Sequence, residues 1–404
     1  MGPRLPAVGR GFAHGAPSAQ GRLVVTQNRG EGKGQQELQK RVLESQLCTG
    51  CGACIGLCPY QAYHNDSVVA LHGCDMKEGK CYAFCPRTPT DLDGLRKRLF
   101  EGEEITEELG AMRGFYIVRA TEEQVRKSAQ HGGTVTTLIA LALEEGMIDA
   151  AVVAESQTDC LPRAVVVSDS KELRKRGKSS FVVSPMIAKF NEIARSEFQK
   201  IGVVATPCQA LAMAKMRSES TPKGDETIDK LKLVMGLFCG WALSWRKVVE
   251  LLRKRTDLKT ITGMDIPPSK YHTLEVLTKD GPLAISLDEI TPCIREACHY
   301  CFDMTAEFSD ISVGSARLSE GWDVARSWNQ VIVRTQQGHD LMELARTRGL
   351  LEFRNVPEGN LERLKRASLN KKRTAIKNLT RKSGRSDELL YLDRRDPIIG
   401  SLID

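Results

Sequence analysis

The feature that most constrains this chain is the run Cys48-Thr-Gly-Cys51-Gly-Ala-Cys54-Ile-Gly-Leu-Cys58-Pro59. Four cysteines separated by two, two and three residues and closed by proline have the spacing of a cubane iron–sulfur site. Three thiolates of one tight loop grip a first cube, and the fourth reaches across to a second. The glycines let the backbone curl around the cube without Cβ clashes, and soft thiolates suit iron. A structural zinc knuckle uses two well-separated CxxC pairs, which these offsets do not make.

A second group follows in Cys74-Asp-Met-Lys-Glu-Gly-Lys-Cys81-Tyr-Ala-Phe-Cys85-Pro86. The ferredoxin pseudo-repeat predicts one more cysteine near Lys77 and Glu78, and it is absent. By the crossover rule Cys48, Cys51, Cys54 and Cys85 hold one cube, and Cys58, Cys74 and Cys81 the other. Its last iron could take Cys160, an oxygen of Asp75 or Glu78, or be missing in a three-iron cluster. A single cube with a degenerate second group also stays open.

Around this module the chain divides by texture. Residues 1–35 are rich in Gly, Pro and Ala without the apolar core of a signal peptide, and read as a flexible arm. Residues 36–90 form the ferredoxin-like α+β module. Residues 91–113, with Glu101, Glu103, Glu104, Glu107 and Glu108, read as a linker. Residues 358–404 read as a basic tail: ten Lys or Arg and one acid lie between Leu361 and Ser386, so the rest of this +7 chain is close to neutral. Such a segment suits an acidic partner or an anionic cosubstrate, and lacks the aromatics that stack nucleic-acid bases. Thirteen cysteines in 404 residues are too sparse for a disulfide scaffold and cluster as metal ligands do. A reducing, oxygen-poor cytoplasm follows, with no apolar run near the ~20 residues of a membrane span.

From residue 114 to 357 strands alternate with helices: Phe115–Ala120, a helix from Thr134 to Glu145, Ile148–Ala154, Ile201–Ala205, a helix from Pro207 to Met216, Leu231–Phe238 and a helix from Trp241 to Arg255. This predicts an α/β domain with a largely parallel or mixed sheet. Cys208 and Cys239 each follow a predicted strand, where open α/β sheets bind ligands. With the Cys298-His-Tyr-Cys301 pair they make four thiolates for a third cube, while Cys160 and Cys293 read as ordinary thiols. The turn Gly132-Gly133-Thr134-Val135-Thr136 opens a helix, and its N–H groups and hydroxyls suit a phosphate or a plain N-cap. His131 beside it is a candidate proton relay or a packing residue. No Ser/His/Asp constellation, Walker loop or GxGxxG is present, which leaves hydrolase and triphosphatase readings without support.

Several stretches together resemble the beta subunit of coenzyme F-420 hydrogenases and dehydrogenases, whose relatives include formate dehydrogenase beta subunits and 7-hydroxymethyl chlorophyll a reductase. They are Ala129–Thr136, Leu143–Ala150, Ala205-Thr206-Pro-Cys208-Gln209, Gly236–Cys239, Met264–Ile266 with Lys270, Cys298–Gly314, Gly321-Trp322 and Val331–Thr335. The resemblance implies FAD in the α/β domain, contacted by Gly132–Thr136, Thr206 and Lys270, beside a 4Fe-4S cluster on Cys208, Cys239, Cys298 and Cys301. It implies an oxidoreductase subunit that exchanges a hydride at FAD and passes single electrons through two to three clusters. The electrons go to partner subunits of hydrogenase, formate dehydrogenase or heterodisulfide-reductase type. A stand-alone flavin and iron–sulfur reductase of a small molecule, or a flavin-free relay subunit, are the alternatives. The chain departs from the pattern at Lys178-Ser179-Ser180-Phe181, where family members commonly carry Gly-Ser/Thr-Lys-Tyr, and at His131, often Asp. The departure bears on the deazaflavin more than on the FAD, so the hydride donor stays open between coenzyme F-420 and NAD(P)H.

Overall fold

The structure, a computed structural model, describes residues 32–157, 160–173, 181–218, 227–268, 271–385 and 387–403. At its centre is an eight-stranded sheet. Its strands are β1 (Gly114–Ala120), β2 (Ala150–Glu155), β3 (Arg163–Val167), β4 (Ile201–Ala205), β5 (Leu231–Leu237), β6 (Ile311–Ser315), β7 (Asn329–Val333) and β8 (Leu351–Arg354). The order across the sheet is β8-β1-β7-β6-β5-β4-β2-β3. The four strands β6, β5, β4 and β2 run parallel, and antiparallel strands flank them on both sides, so the sheet is mixed.

Both faces of the central strands are buried, which explains their unbroken apolar runs. Period-two alternation divides β2: Ala150 and Val152 face one core with Met186, Phe190 and Met213, while Ala151 and Val153 face another with Leu138, Leu141 and Leu341. The helices Met186–Ile193 and Pro207–Ser218 cover the first face, and Thr134–Glu144 and Gln336–Thr347 the second. A three-stranded antiparallel sheet, Ile261–Asp265, Thr273–Thr278 and Gly281–Ser286, packs with the helix Trp245–Arg253 as a lobe of its own.

The cysteine-rich module begins with an α-helical turn, Gln35–Leu38, which widens into a π-helix, Gln39–Glu44. The hairpin Gln61–His64 with Ser67–Ala70 and the short helix Lys80–Ala83 complete it. Residues 32–403 pack as one unit. Leu92 and Leu95 of the helix Leu92–Leu99 share the first core with Ala375, Ile376 and Leu379 of the helix Asn360–Ser383. Segments that read as a linker and a tail are therefore folded elements. Their charge density hides an apolar stripe: Leu364, Ser368, Lys372, Ala375, Ile376 and Leu379 recur at helical spacing and are buried. The one charge in that stripe, Lys372, pairs with buried Glu307.

Candidate functional site

All thirteen cysteines are free thiols. The first loop is bent by left-handed glycines, and at Gly52 (φ +83°) a Cβ would come within 2.9 Å of Ala188 N and 3.0 Å of its Cβ. Only glycine lets the loop lie this close to the helix Met186–Ile193, whose Ile187 N–H donates to Cys51 O at 3.3 Å. Asn191 Nδ2 donates to Ile55 O at 2.7 Å and fixes the far end of the loop.

The thiols gather into three sets. Burial pushes the Cys54 thiol well above its ordinary value, and Cys48, Cys51 and Cys85, with Cys81 beyond them, add their negative fields. Burial also pushes Cys85 up, to about 11, although the Lys215 ammonium and Arg87 oppose it. Cys48, Cys51, Cys54 and Cys85 thus form one set. In the second, burial raises the Cys81 thiol and Cys58 and Cys74 reinforce it. Cys160 is not its fourth member: it packs with Val182, Leu243 and Cys293 in the lobe of the three-stranded sheet, apart from Cys54 and Cys81. Asp75 and Glu78 are exposed.

The third set is assembled from the ends of separate elements. Cys208 opens the helix after β4, Cys239 follows β5, and Cys298 and Cys301 lie in and just past the 3-10 turn Glu296–Tyr300. Burial raises Cys239 strongly, with Cys298, Cys208 and Cys301 adding to the effect and Lys371 opposing it. A backbone N–H and a hydroxyl already lie against the sulfurs: Ala242 N–H donates to Cys298 Sγ at 3.3 Å, and Thr206 Oγ1 lies 3.4 Å from Cys208 Sγ. Thr206 therefore adjoins the thiol set.

Among the described residues no three His, Cys, Asp or Glu side chains converge as one metal ion would require. Thiolates that each bind a different corner of a cube need no such convergence. Buried thiols that repel one another's ionisation, with cations at their rim, suit a polynuclear iron core, whose positive charge would reverse that repulsion. The sets also adjoin in a row, because Cys51 feels the charge of Cys208 while Cys54 feels that of Cys81.

Two cations knit the row together and carried no sequence signature of a role. Arg87, buried directly after the Cys85-Pro86 pair, donates to Tyr300 O at 3.3 Å and Ala297 O at 3.2 Å. Burial disfavours its charge, yet Tyr391, Cys301 and Cys208 hold its guanidinium above the usual range. Lys215 Nζ donates to Cys85 O at 2.8 Å and to the hydroxyls of Thr88 and Thr90 at 2.9 Å.

The Gly132–Thr136 turn lies at the same edge of the sheet as Cys208 and Cys239, where β1 ends and β7 begins. Asn329 Oδ1 accepts from Thr134 N at 3.3 Å and from Thr134 Oγ1 at 2.8 Å. That hydroxyl, expected to cradle a phosphate, is buried and already engaged. Gly132 has no room for a Cβ, which would meet Asn329 Oδ1 at 2.8 Å. Val135 is partly exposed and Thr136 is buried. His131 Nε2 lies 3.2 Å from Asp265 Oδ1, and its ring stands edge-on to Trp322 at 5.6 Å. Trp322, which follows Gly321 in one of the family motifs, is buried with its indole N–H unpartnered, and the Arg317 guanidinium stands 5.4 Å from its ring. Lys270 and residues 178–180 lie outside the described residues; Phe181 packs against Trp241.

The family described as coenzyme F420 hydrogenase/dehydrogenase, beta subunit matches residues 115–190 with its N-terminal part and 198–359 with its C terminus. A 4Fe-4S binding domain matches residues 42–64, which covers the first cysteine run and stops before the second. The chain is 30% identical over 278 residues to coenzyme F420 hydrogenase subunit beta of Methanothermobacter thermautotrophicus, covering 67% of this chain and 95% of that one. It is 25% identical over 336 residues to a subunit of the F(420)H(2) dehydrogenase of Methanosarcina mazei, covering 80% and 88%. A chain of the F420-reducing [NiFe] hydrogenase complex from Methanosarcina barkeri superposes with a TM-score of 0.63 at 25% identity, covering 69% of this chain and 94% of that chain. Among the described residues no helix is long and apolar enough to cross a membrane.

Proposed function

The chain belongs to the family of coenzyme F420 hydrogenase/dehydrogenase beta subunits, and on that premise we propose that it is the iron–sulfur and FAD-bearing subunit of an oxidoreductase complex. Its partners are catalytic subunits of hydrogenase or dehydrogenase type, and a deazaflavin or nicotinamide is its hydride donor or acceptor. When bound, FAD supplies the exchange between two-electron hydride chemistry and one-electron transfer, and 4Fe-4S clusters carry single electrons onward.

The observation that carries this reading is the row of thiol sets ending at the sheet edge shared with the Gly132 turn. Cys208, Cys239, Cys298 and Cys301 hold the cluster nearest the flavin, Cys48, Cys51, Cys54 and Cys85 the next, and Cys58, Cys74 and Cys81 the last. Arg87 and Lys215 offset the negative charge that such clusters place in a dry interior. Beside the turn, the Trp322 indole N–H and the Arg317 guanidinium supply a donor and a cation for the flavin, and His131 with Asp265 supplies a site for a proton. Asn329 ties Thr134 to the start of β7.

Anaerobic purification with iron and flavin analysis tests the reading. About eight to twelve iron atoms per chain are expected with a flavin absorption band. Iron near four would remove the three-set row, and absence of flavin after anaerobic handling with added FAD would leave a flavin-free relay.

A further inference from the structure

The helix Asn360–Ser383 has a second face that the proposed electron path does not use. Opposite its buried stripe, Arg363, Arg366, Arg373, Lys377 and Arg381 follow one another, with Asn370, at steps of three and four residues, and all five cations are exposed. No ion pair among the described residues engages them. The segment's one acid, Glu362, is exposed beside Arg363 at the far end. Exposed cations on helices usually find an i,i+4 acid or simply face water. About five turns without an acid along one line make a field of a single sign.

Where that line ends decides its use. Lys371 Nζ donates to Gly240 O, next to Cys239, and Asn378 Nδ2 donates to His299 O at 2.8 Å, between Cys298 and Cys301. The helix is thereby fastened to two of the loops that carry the third thiol set. Beside it opens a surface groove of about 270 Å³ lined by Glu296, His299, Tyr300, Asn378, Arg381 and Lys382. The Lys382 ammonium stands 4.9 Å from the Tyr300 ring, and the Tyr300 hydroxyl donates to Glu296 at 2.7 Å. The basic line thus terminates at Arg381 beside His299 and Tyr300, the two residues that link Cys298 to Cys301.

We infer that this helix face is the docking surface of a small acidic one-electron carrier protein, seated over the His299–Tyr300 groove. The inference rests on the reading that Cys208, Cys239, Cys298 and Cys301 hold a cluster. In each encounter the carrier loses one electron and that cluster gains it, or the reverse, with no bond broken and no proton moved. Charge steering suits such partners, whose interfaces are small and short-lived. A polynucleotide fits less well, since the helix has no aromatic side chain on which bases could stack.

The test uses the full chain, purified anaerobically, with a plant-type 2Fe-2S ferredoxin as the acidic probe. Its binding is compared for wild type, R373E/K377E/R381E, and a charge-matched control on the other lobe, R246E/R253E/K259E, with circular dichroism and iron content confirming the fold. The helix variant is expected to bind about tenfold or more weakly at low ionic strength, the control within about twofold, and wild-type affinity to fall as salt rises. Equal loss in both variants, no loss in either, or preference for a short DNA duplex over ferredoxin overturns the docking surface. Binding needs no cluster, so it is read apart from electron transfer. Cys298→Ser is expected to keep ferredoxin bound while abolishing rapid oxidation of the reduced probe. If rapid oxidation survives that substitution, the cluster reading fails and not the charge recognition.

Discussion

Arg295 NH1 lies 2.5 Å from Asp66 Oδ2 across 229 positions of sequence, and both side chains are buried. The same carboxylate accepts from Trp245 N at 3.0 Å, and Arg295 NH2 donates to Cys48 O at 3.3 Å. One ion pair therefore fixes the cysteine loop of the N-terminal module to the segment that leads into Cys298.

Arg295→Ala is expected to destabilise the chain by about 3–5 kcal/mol, because it strands a buried carboxylate. Arg295→Met with Asp66→Leu removes both charges and should recover most of the loss. Urea unfolding of the three proteins measures this; a double variant as weak as the single one would show that packing, not charge, is at stake.

Gly52→Ala combines a left-handed backbone with a Cβ only 2.9 Å from Ala188 N. Strain of this kind costs about 1–3 kcal/mol. The helix Met186–Ile193 must also give way, which would pull Cys51 from its set. A lower thermal midpoint together with faster iron loss to a chelator is expected. Gly102→Ala (φ +78°, nothing within 4 Å of the new Cβ) should show strain alone and keep its iron.

The second thiol set shows both how much of the site was legible in sequence and where legibility ended. Cysteine spacing is a local property, so the loop of Cys48, Cys51 and Cys54 and the strand-end positions of Cys208 and Cys239 could be read directly. That Cys160 lies in another lobe could not, since nothing near it in sequence records the three-stranded sheet that buries it. Charge misled at residues 91–113 and 360–383, where a few apolar positions at helical spacing outweigh many solvated ones. Arg87, Lys215 and Arg295 act through contacts more than a hundred residues away, which no local pattern encodes.

The pseudo-repeat points to position 78 as the missing ligand, and Glu78 is exposed there. Glu78→Cys is expected to raise the iron content by about one atom per chain and to convert a three-iron electron paramagnetic resonance signal into a four-iron one. An unchanged spectrum with unchanged iron would mean that the set of Cys58, Cys74 and Cys81 already holds a complete cube or none.

Asp265 gives a pH dependence with a definite sign. Burial pushes its carboxyl up, but hydrogen bonds and charge from His131, with Gln130 and Ile266 N, outweigh this and hold it below its ordinary 3.8. A carboxyl depressed in the folded state contributes stability above its unfolded value, which is lost as pH falls through the folded one. His131→Ala should therefore lower stability at neutral pH and flatten its fall below about pH 4, as read from urea midpoints across the acid range. Parallel curves for the two proteins would sever the link between His131 and Asp265.

The unpartnered Trp322 indole N–H is the most specific sign of a ligand beside the Gly132 turn, because a buried donor without an acceptor costs free energy in the empty fold. Trp322→Phe removes that donor and keeps most of the ring, while Arg317→Met removes the cation stacked on it. Each is expected to weaken FAD retention about tenfold, the equivalent of one hydrogen bond to a polar or charged group, and to leave iron content unchanged. Flavin-to-iron ratios after gel filtration, with fluorescence titration of added FAD, measure both effects. If both variants hold FAD as tightly as wild type, the flavin does not lie against Trp322; if both lose iron as well, the substitutions have disturbed the sheet edge rather than a ligand contact. The selective outcome, flavin lost and iron kept, would separate the hydride site from the row of clusters it is proposed to feed.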